Sequence, residues 1–314
     1  MATPITSTPP ASGTTKPPRS RQRRFFFHNP KTTPYLFIAP FLVVFVLFFF
    51  APLVYALRLS LFRQPMIGEP VFVGLANYTR AFADSAFHAG IGRIVVYGVM
   101  YLVAVLVLGL TAALLLDSGV IRLKRFFRLA IFVPYAVPSA VAALMWGYLY
   151  SRNFGPLADV ANALGRSAPD VLSARTMLVS ITNITVWTWV GYVMIIFYTA
   201  LQAVPVDVEE AAAVDGATRF QIAWHIKLPL IRPAVVLVVF FSIIGSMQLF
   251  NEPHILSAIR PQVIDPAYTP NLYAFNLAFS NQDFPYSAAI SFIMGIVAFV
   301  TSYAFMLASQ RGNR

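Results

Sequence analysis

Long apolar runs alternate with short polar segments along this 314-residue chain. Six of these runs approach or exceed the ~20 mostly apolar residues that a helix needs to cross a membrane. The runs are continuous rather than alternating, and a helix satisfies its own backbone hydrogen bonds in lipid, so they predict helices and not membrane β-strands. We therefore expect an all-α, polytopic membrane protein with six transmembrane helices, at Pro34 to Leu57, Ile94 to Leu116, Leu129 to Tyr150, Met177 to Val204, Ala234 to Phe250 and Tyr286 to Leu307.

Composition supports this class. Hydrophobic residues make up 58% of the chain, charged residues only 11%, and the mean hydropathy is +0.69. Soluble domains are roughly a quarter charged, so a soluble fold is excluded. The chain has no cysteine, which excludes disulfides and thiolate metal sites, and its four histidines are too scattered to suggest a metal centre. We expect neither a metal nor a cofactor in this chain.

Both ends of the chain are polar. Residues 1–33 combine Pro, Ser and Thr with a basic cluster and cannot bury a core, so they predict a disordered basic tail. Residues 34–309 form the predicted transmembrane domain, and 310–314 form a short C-terminal tail. The first apolar run is longer than a signal-peptide core and lacks a clear cleavage site, which favours a permanent anchor.

Charge distribution predicts the orientation. If the N-terminus is cytoplasmic, 15 of the 23 Lys and Arg residues, including all four lysines, fall on the cytoplasmic side of the six predicted spans. The positive-inside rule then places both termini in the cytoplasm. The net charge of +11 could indicate nucleic-acid binding, but the basic residues flank apolar runs, so we expect a membrane partner and no nucleic acid.

A charged segment at 205–233 interrupts the apolar second half of the chain. Pro205 suits a first helical turn, Asp207 can cap it, and Gly216 can take the left-handed conformation that ends a helix. A second helical stretch, "TRFQIAWHIKL", follows and is closed by Pro229 and Pro233. The pattern predicts two short helices joined by a hinge, and on the residues alone an interfacial amphipathic loop is the other interpretation.

The same segment resembles the EAA loop of binding-protein-dependent ABC importer permeases. That motif reads EAA, three residues, G, nine residues, I, one residue, LP. The chain keeps both spacings, and the resemblance implies a cytoplasmic coupling helix that docks on an ATPase subunit, with Glu210 hydrogen-bonding around the turn at Gly216. The residues that carry this implied role are Glu210, Ala211, Ala212, Asp215, Gly216, Ile226, Leu228 and Pro229.

The resemblance also implies the partners of such a permease. They are a second homologous permease subunit, two ABC ATPase subunits and an extracytoplasmic solute-binding protein, assembled in a bacterial cell membrane. The chain contains no Gly-Lys pair, so a phosphate-binding Walker A loop is excluded. We expect that this chain is not an enzyme and that the partner ATPase binds ATP and Mg²⁺.

Looser similarity to the carbohydrate branch of these permeases, of the maltose and glycerol-phosphate type, extends from about Pro34 to Leu307. It is carried by passages such as "RLAIFVPYAVPSAVAALMWGYLYSRNFGPL" around the third predicted span. One departure is the outer loop 252–285, which has "EPHILSAIRPQVIDPAYTPN" where many sugar permeases carry a Thr-Gly-Gly-Gly-Pro-like turn. The resemblance implies a sugar substrate without identifying which one.

Polar residues on the fourth and fifth predicted spans are the candidates for a substrate path. Hydroxyl and aromatic side chains recur there at helical spacing, and the resemblance places Tyr192, Ser242 and Ser246 among sugar-contacting positions. Helix packing explains small polar residues equally well, so that interpretation stays open. The complete candidate set is Tyr192, Ser242, Ser246, Thr188 and Gln248.

Other transport classes are disfavoured by the charged residues. All twelve acidic residues lie in predicted loops or at span ends, whereas a proton-coupled carrier usually needs an ionisable group in mid-membrane. No Arg or Lys lies in mid-span to bind a phosphate. A permease for glycerol phosphate or another small solute is therefore the alternative, and a secondary carrier is weaker still.

Overall fold

A computed structural model of the protein describes residues 33–65 and 67–311. Residues 1–32, which carry almost all of the predicted disordered tail, and 312–314 lie outside the described residues. The chain divides into two compact units, Met1–Val54 and Tyr55–Arg314. The described part is mostly helical, as the apolar pattern predicts.

The helices and the two short strands run in the following order. Helix α1 (Pro34–Ser60) contains a π-helical turn at Val46–Phe50 and is followed by the antiparallel pair β1 (Phe62–Arg63) and β2 (Val71–Phe72). The later helices are α2 (Ala76–Ala83), α3 (Ser85–Asp117), α4 (Lys124–Ala136, with a 3₁₀ turn at Val133–Ala136), α5 (Ser139–Leu149), α6 (Pro156–Ala163), α7 (Met177–Leu201), α8 (Val206–Val214), α9 (Arg219–Leu230), α10 (Arg232–Met247), α11 (Asn251–Ile259), α12 (Pro270–Phe279) and α13 (Phe284–Arg311).

Four of these helices, α1, α3, α7 and α13, are long and apolar enough to cross a membrane unbroken. Two further helix pairs are long and apolar enough only when each pair is taken together, and they are sharply bent, by 101° between α4 and α5 and by 69° between α9 and α10. The described chain therefore holds four to six candidate membrane spans. The prediction of one continuous helix from Leu129 to Tyr150 is wrong, and α13 continues two residues into the predicted tail 310–314.

Proline explains the break between α4 and α5. Val137 precedes Pro138 and is extended, at φ −80° and ψ 124°, because a residue before proline is driven out of the helical region. The backbone at the break is still satisfied: Val137 N–H donates to the Pro134 carbonyl at 3.0 Å, and Ala142 N–H donates to the Pro138 carbonyl at 2.9 Å. The two prolines thus change the chain direction while backbone hydrogen bonds continue on both sides of the break.

The main core forms where α7 packs along α3 and α10. Ile181, Met194 and Phe197 of α7 are fully buried there. The close approach of α7 to α3 depends on Gly109, because a Cβ at that position would lie 2.7 Å from Val193. Small residues at such crossings are the usual means by which membrane helices approach closely.

Asp84 ties together the helix ends on the predicted outer side. Its carboxylate caps α3 by accepting from the Ala86 and Phe87 N–H groups, and it also accepts from the hydroxyls of Tyr273 (2.8 Å) and Tyr286 (2.7 Å). Burial alone would raise the pKa of this carboxyl, but the four hydrogen bonds outweigh that effect and hold its pKa below the ordinary value. Asp84 therefore connects α3 to α12 and α13.

Gly191 provides a test of the packing between α4 and α7. A Cβ at this position would clash with the carbonyl oxygen of Ile131 and lie 2.7 Å from the Phe132 Cα, so Gly191→Ala must displace backbone. We expect a loss of about 1–3 kcal/mol in the free energy of unfolding, as for other overpacked sites. The measurement is the thermal midpoint in detergent, with Gly295→Ala as control, since no heavy atom lies within 4 Å of that Cβ. Equal midpoints for the two variants would contradict this packing.

Candidate functional site

A cavity of about 290 Å³ lies between α3, α5, α7, α10 and α11. Its walls combine aromatic rings, such as Phe241, with hydroxyl and amide side chains. The break before α5 meets the break between α10 and α11 at this cavity: Ser139, the first residue of α5, accepts a hydrogen bond from Asn251, the first residue of α11, at 2.8 Å. The broken helices thus bring polar side chains to a pocket among apolar spans.

Three stacked and edge-on aromatic rings lie at one side of the cavity, and we call them the aromatic trio: Tyr135, Trp189 and Tyr192. Tyr135 stacks on Tyr192 with ring centroids 4.9 Å apart and an interplanar angle of 16°, and Trp189 packs edge-on against both. All three side chains are more than one-third exposed, and Trp189 and Tyr192 line the cavity directly. Such a cluster offers a rigid apolar surface with hydroxyl groups at its rim.

Further lining residues come from α3 and α10. Tyr97 and Tyr101 stack with their centroids 5.8 Å apart, and the Tyr101 hydroxyl lies beside the Ser242 hydroxyl. Thr185 of α7 lies beside the Tyr97 hydroxyl. The cavity is therefore framed by hydroxyl groups from three helices.

Glu252 contributes a carboxylate to the same cavity. It lies in the first turn of α11 and is 7% exposed. Burial raises the pKa of the Glu252 carboxyl, against the opposing effect of its own backbone N–H. Among the described residues that line the cavity, Glu252 is the one with a formal charge.

The structure separates the candidates predicted for the substrate path into two groups. Tyr192, Ser242 and Gln248 line the cavity. Thr188 and Ser246 do not: both are buried, and their hydroxyls donate to carbonyls of their own helices, at Ile184 (3.0 Å) and Ile243 (2.8 Å). Ser246 also packs against Gly98 of α3, which fits the packing interpretation of small polar residues.

Sequence reasoning missed several cavity residues. Tyr97 and Tyr101 are four apart on one face of the second predicted span, a spacing that could have identified them. Ser139, Asn251 and Glu252 carry no such signal, because they reach the cavity only through the breaks before α5 and α11.

The 205–233 segment forms two helices joined at Gly216. Helix α8 ends in a Schellman motif, with Ala217 N–H donating to the Ala212 carbonyl at 3.0 Å and Gly216 N–H to the Ala213 carbonyl at 3.1 Å. Gly216 has φ +84°, the left-handed conformation expected from the sequence. The turn is closed by its backbone, and no described hydrogen bond links it to Glu210, which is exposed.

The beginnings of α8 and α9 add two details that the sequence did not predict. Helix α8 begins at Val206 after Pro205, so Asp207 lies within its first turn and makes no side-chain cap. Helix α9 begins with a capping box, in which the Thr218 hydroxyl accepts from Gln221 N–H at 3.3 Å and the Gln221 side chain accepts from Thr218 N–H at 2.7 Å. The hinge is therefore fixed by hydrogen bonds on both sides.

The motif residues divide by exposure. Glu210, Ala211, Asp215, Gly216 and Pro229 are exposed, while Ala212, Ile226 and Leu228 are half-buried. Large apolar side chains are exposed beside them, including Val214 at 88% and Phe220 at 75%. An exposed apolar surface next to a rigid turn is typical of a protein-docking site.

Three charged side chains fasten the segment to the rest of the chain, and we call them the ion triad: Asp117, Glu209 and Lys227. The buried Lys227 ammonium contacts the Asp117 carboxylate at 2.5 Å and the Glu209 carboxylate at 2.7 Å. Gln202, just past the end of α7, donates to the other oxygen of Asp117 at 2.7 Å. The ends of α3 and α7 are thereby joined to α8 and α9.

Comparison with known proteins places the chain in a family. Residues 105–312 match the family described as "Binding-protein-dependent transport system inner membrane component". A solved structure, described as a bacterial ABC transporter involved in the import of the acidic polysaccharide alginate, has the same fold with a TM-score of 0.79. The two chains are 19% identical, and the similarity covers 88% of this chain and 95% of the other.

Curated relatives match over nearly the full length. The arabinooligosaccharides transport system permease protein AraP of Bacillus subtilis (strain 168) is 31% identical, covering 94% of this chain and 95% of the relative. The sn-glycerol-3-phosphate transport system permease protein UgpA of Agrobacterium fabrum is 30% identical, covering 90% and 96%. The chain thus belongs to the inner-membrane components of binding-protein-dependent transport systems, the permease subunits of ABC importers.

Proposed function

We propose that this chain forms half of the translocation path of an ATP-driven importer for a sugar, delivered by an extracytoplasmic binding protein. The observation that carries the proposal is the cavity, which Trp189 and Tyr192 of the aromatic trio line together with the hydroxyl-bearing side chains of Tyr101, Thr185 and Ser242. A saccharide presents apolar ring faces and many hydroxyls, and such a surface provides packing and hydrogen bonds for both. The relative AraP is named for arabinooligosaccharides, which are substrates of this class.

The proposed path residues are those that line the cavity, with Tyr192, Ser242 and Gln248 as contacts from the predicted set. We assign Thr188 and Ser246 to the support of that wall, because their hydroxyls are occupied within their own helices. In this arrangement a mono-, di- or oligosaccharide would lie against Tyr192 and be released on the other side when the helices tilt.

We further propose that 205–233 is the coupling loop. Its exposed surface on α8 would dock on a cytoplasmic ATPase subunit that binds ATP and Mg²⁺, while the ion triad transmits the movement to α3 and α7. A pair of short helices fixed at the ends of two spans converts a rigid-body shift of the ATPase into tilting of those spans. The hydrogen-bonded hinge at Gly216 supports this role, since a slack loop would absorb the movement.

This proposal includes the assembly and its orientation. It counts α4 with α5 as one span and α10 as another, giving six, and places both termini in the cytoplasm by the distribution of basic residues. A second homologous permease and two ATPase subunits complete the importer. A solved neighbour is described as an alginate ABC transporter in complex with a pentasaccharide-bound periplasmic protein, which supports a binding-protein partner here.

The experiment that tests this function is purification of the tagged chain from its native membrane in mild detergent, followed by an ATPase assay. We expect an ATPase subunit and a second permease to co-purify, and hydrolysis to accelerate when the sugar-loaded binding protein is added. A chain that purifies alone, without nucleotide hydrolysis, would overturn the importer assignment and leave 205–233 as an interfacial loop.

Gly216→Val should uncouple hydrolysis from transport. Valine at φ +84° is strained, so the hinge must change its angle even though no heavy atom lies within 4 Å of the new Cβ. We expect the stimulation of ATP hydrolysis by the loaded binding protein to fall several-fold, toward the unstimulated rate. The control is Gly165→Val, which imposes similar strain at φ +65° in another open turn. Equal stimulation in both variants would contradict the coupling role of the hinge.

Tyr192→Ala should reduce sugar uptake by about 3- to 10-fold, because it removes the ring that stacks on Tyr135 at the cavity wall. Tyr192→Phe keeps the ring and should retain most of the uptake. The measurement is transport of radiolabelled sugar into proteoliposomes that contain the complete importer. If alanine and phenylalanine had the same effect, the stacking role of Tyr192 would be wrong.

A further inference from the structure

The Glu252 side chain has no partner that accounts for its burial. The described ion pairs do not include it, and the interaction that opposes its desolvation comes from its own backbone N–H. A buried carboxylate without a cation is costly and is rarely present without a function. The described contacts therefore leave the Glu252 carboxyl group at the cavity wall without a basic partner.

The position of Glu252 is fixed by the chain break after α10. The carbonyls left free at this break are capped from α12 and the residue before it: Asn271 donates to the Met247 carbonyl at 2.8 Å, and Thr269 donates to the Leu249 carbonyl at 3.2 Å. On the cavity side, Asn251 is held by its bond to Ser139. The backbone that carries Glu252 is therefore held on both sides of the turn.

The helix terminus explains why a negative charge is retained there. The N-terminal end of a helix favours anions, and the beginning of a broken helix is where transporters often receive the acidic group of a substrate. In α11 this favourable position is already taken by Glu252, in the first turn. An acidic solute would therefore meet a carboxylate where it would otherwise meet free N–H groups.

We propose that Glu252 is a charge filter, which admits uncharged saccharides to the cavity and excludes acidic ones. This inference rests on the proposed function and narrows its substrate class. Its carboxylate can accept hydrogen bonds from sugar hydroxyls, and it lies close enough to the phenols of Tyr97 and Tyr101 to interact with them electrostatically. The same carboxylate repels a uronate, and the described cavity lining offers no basic side chain to offset that repulsion.

The relatives make the distinction meaningful, because similar chains serve both kinds of solute. Two relatives of almost equal identity are named for a neutral oligosaccharide and for a glycerol phosphate, and the solved neighbour is described as importing an acidic polysaccharide. Overall sequence similarity therefore does not determine whether the substrate is neutral or acidic. In this chain we assign that role to the carboxylate of Glu252.

The test uses the complete transporter, purified with its partner subunits in lipid nanodiscs and without the binding protein. Binding is followed by tryptophan fluorescence, since Trp189 lines the cavity. The probes are arabinotriose, trigalacturonate and the fully methyl-esterified trigalacturonate, which shares the trigalacturonate framework but is neutral. We expect the ester to bind about 10- to 100-fold more tightly than the acid, the range for two like charges about 6–12 Å apart at an effective dielectric constant of about 20.

The deciding variant is Glu252→Gln, which keeps the shape and removes the charge. It should narrow the difference in affinity between ester and acid to less than about threefold. Glu69→Gln makes the same chemical change in an exposed loop and should preserve the difference. The second variant is Gln248→Lys, which adds a cation to the cavity and leaves Glu252 in place. It should also narrow the difference in affinity between ester and acid.

The outcomes separate this inference from the proposed function. If arabinotriose and the ester both fail to bind the unmodified transporter, the cavity is not a sugar site, and both the proposed function and the charge filter are overturned. If both neutral probes bind but the acid binds equally well, only the filter is overturned. The filter is also overturned if Glu252→Gln leaves the difference in affinity between ester and acid unchanged. If that variant does not assemble, the same result in Gln248→Lys overturns the filter.

Discussion

The structure depends on one constraint, that backbone N–H and C=O groups within the bilayer must find partners inside the protein. Long helices satisfy it automatically, and the breaks show how much support is needed where a helix stops. At Val137 the partners are local carbonyls, and at Met247 and Leu249 they are the side chains of Asn271 and Thr269. Because these breaks are satisfied, the chain can bring helix ends and polar side chains into an apolar bundle.

That constraint also explains where sequence reasoning succeeded. Hydropathy located six apolar runs, and motif spacing located the hinge, whose Gly216 has the expected left-handed conformation. Both features are local and depend on residues a few positions apart. Hydropathy does not fix the number of spans within the described chain, since the third predicted run is bent by 101° and a hydropathy window averages over the bend.

The cavity could be predicted only in part, because it depends on contacts between distant segments. Tyr192 and Ser242 were accessible from helical spacing on two spans, whereas Glu252 looked like a residue at the end of a span. The ion triad was equally hidden: Asp117 and Lys227 are 110 positions apart, and nothing in either neighbourhood indicates the other. A lone charge at the end of an apolar run, as at Asp117, is the one signal that could have prompted a search for a partner.

Helices α3 and α7 line the cavity, and their C-terminal ends are bonded to the 205–233 segment through the ion triad and Gln202. Helix α3 carries Tyr101 at the cavity and ends at Asp117 in the ion triad, and an α-helix rises 1.5 Å per residue, so the two lie ~24 Å apart along one rod. Helix α7 carries Tyr192 and ends beside Gln202, which also bonds Asp117. Neither connection needs a chain of rearranging side chains, because tilting a packed helix moves both ends together. A movement imposed on α8 and α9 therefore has a direct mechanical route to two of the helices that line the cavity.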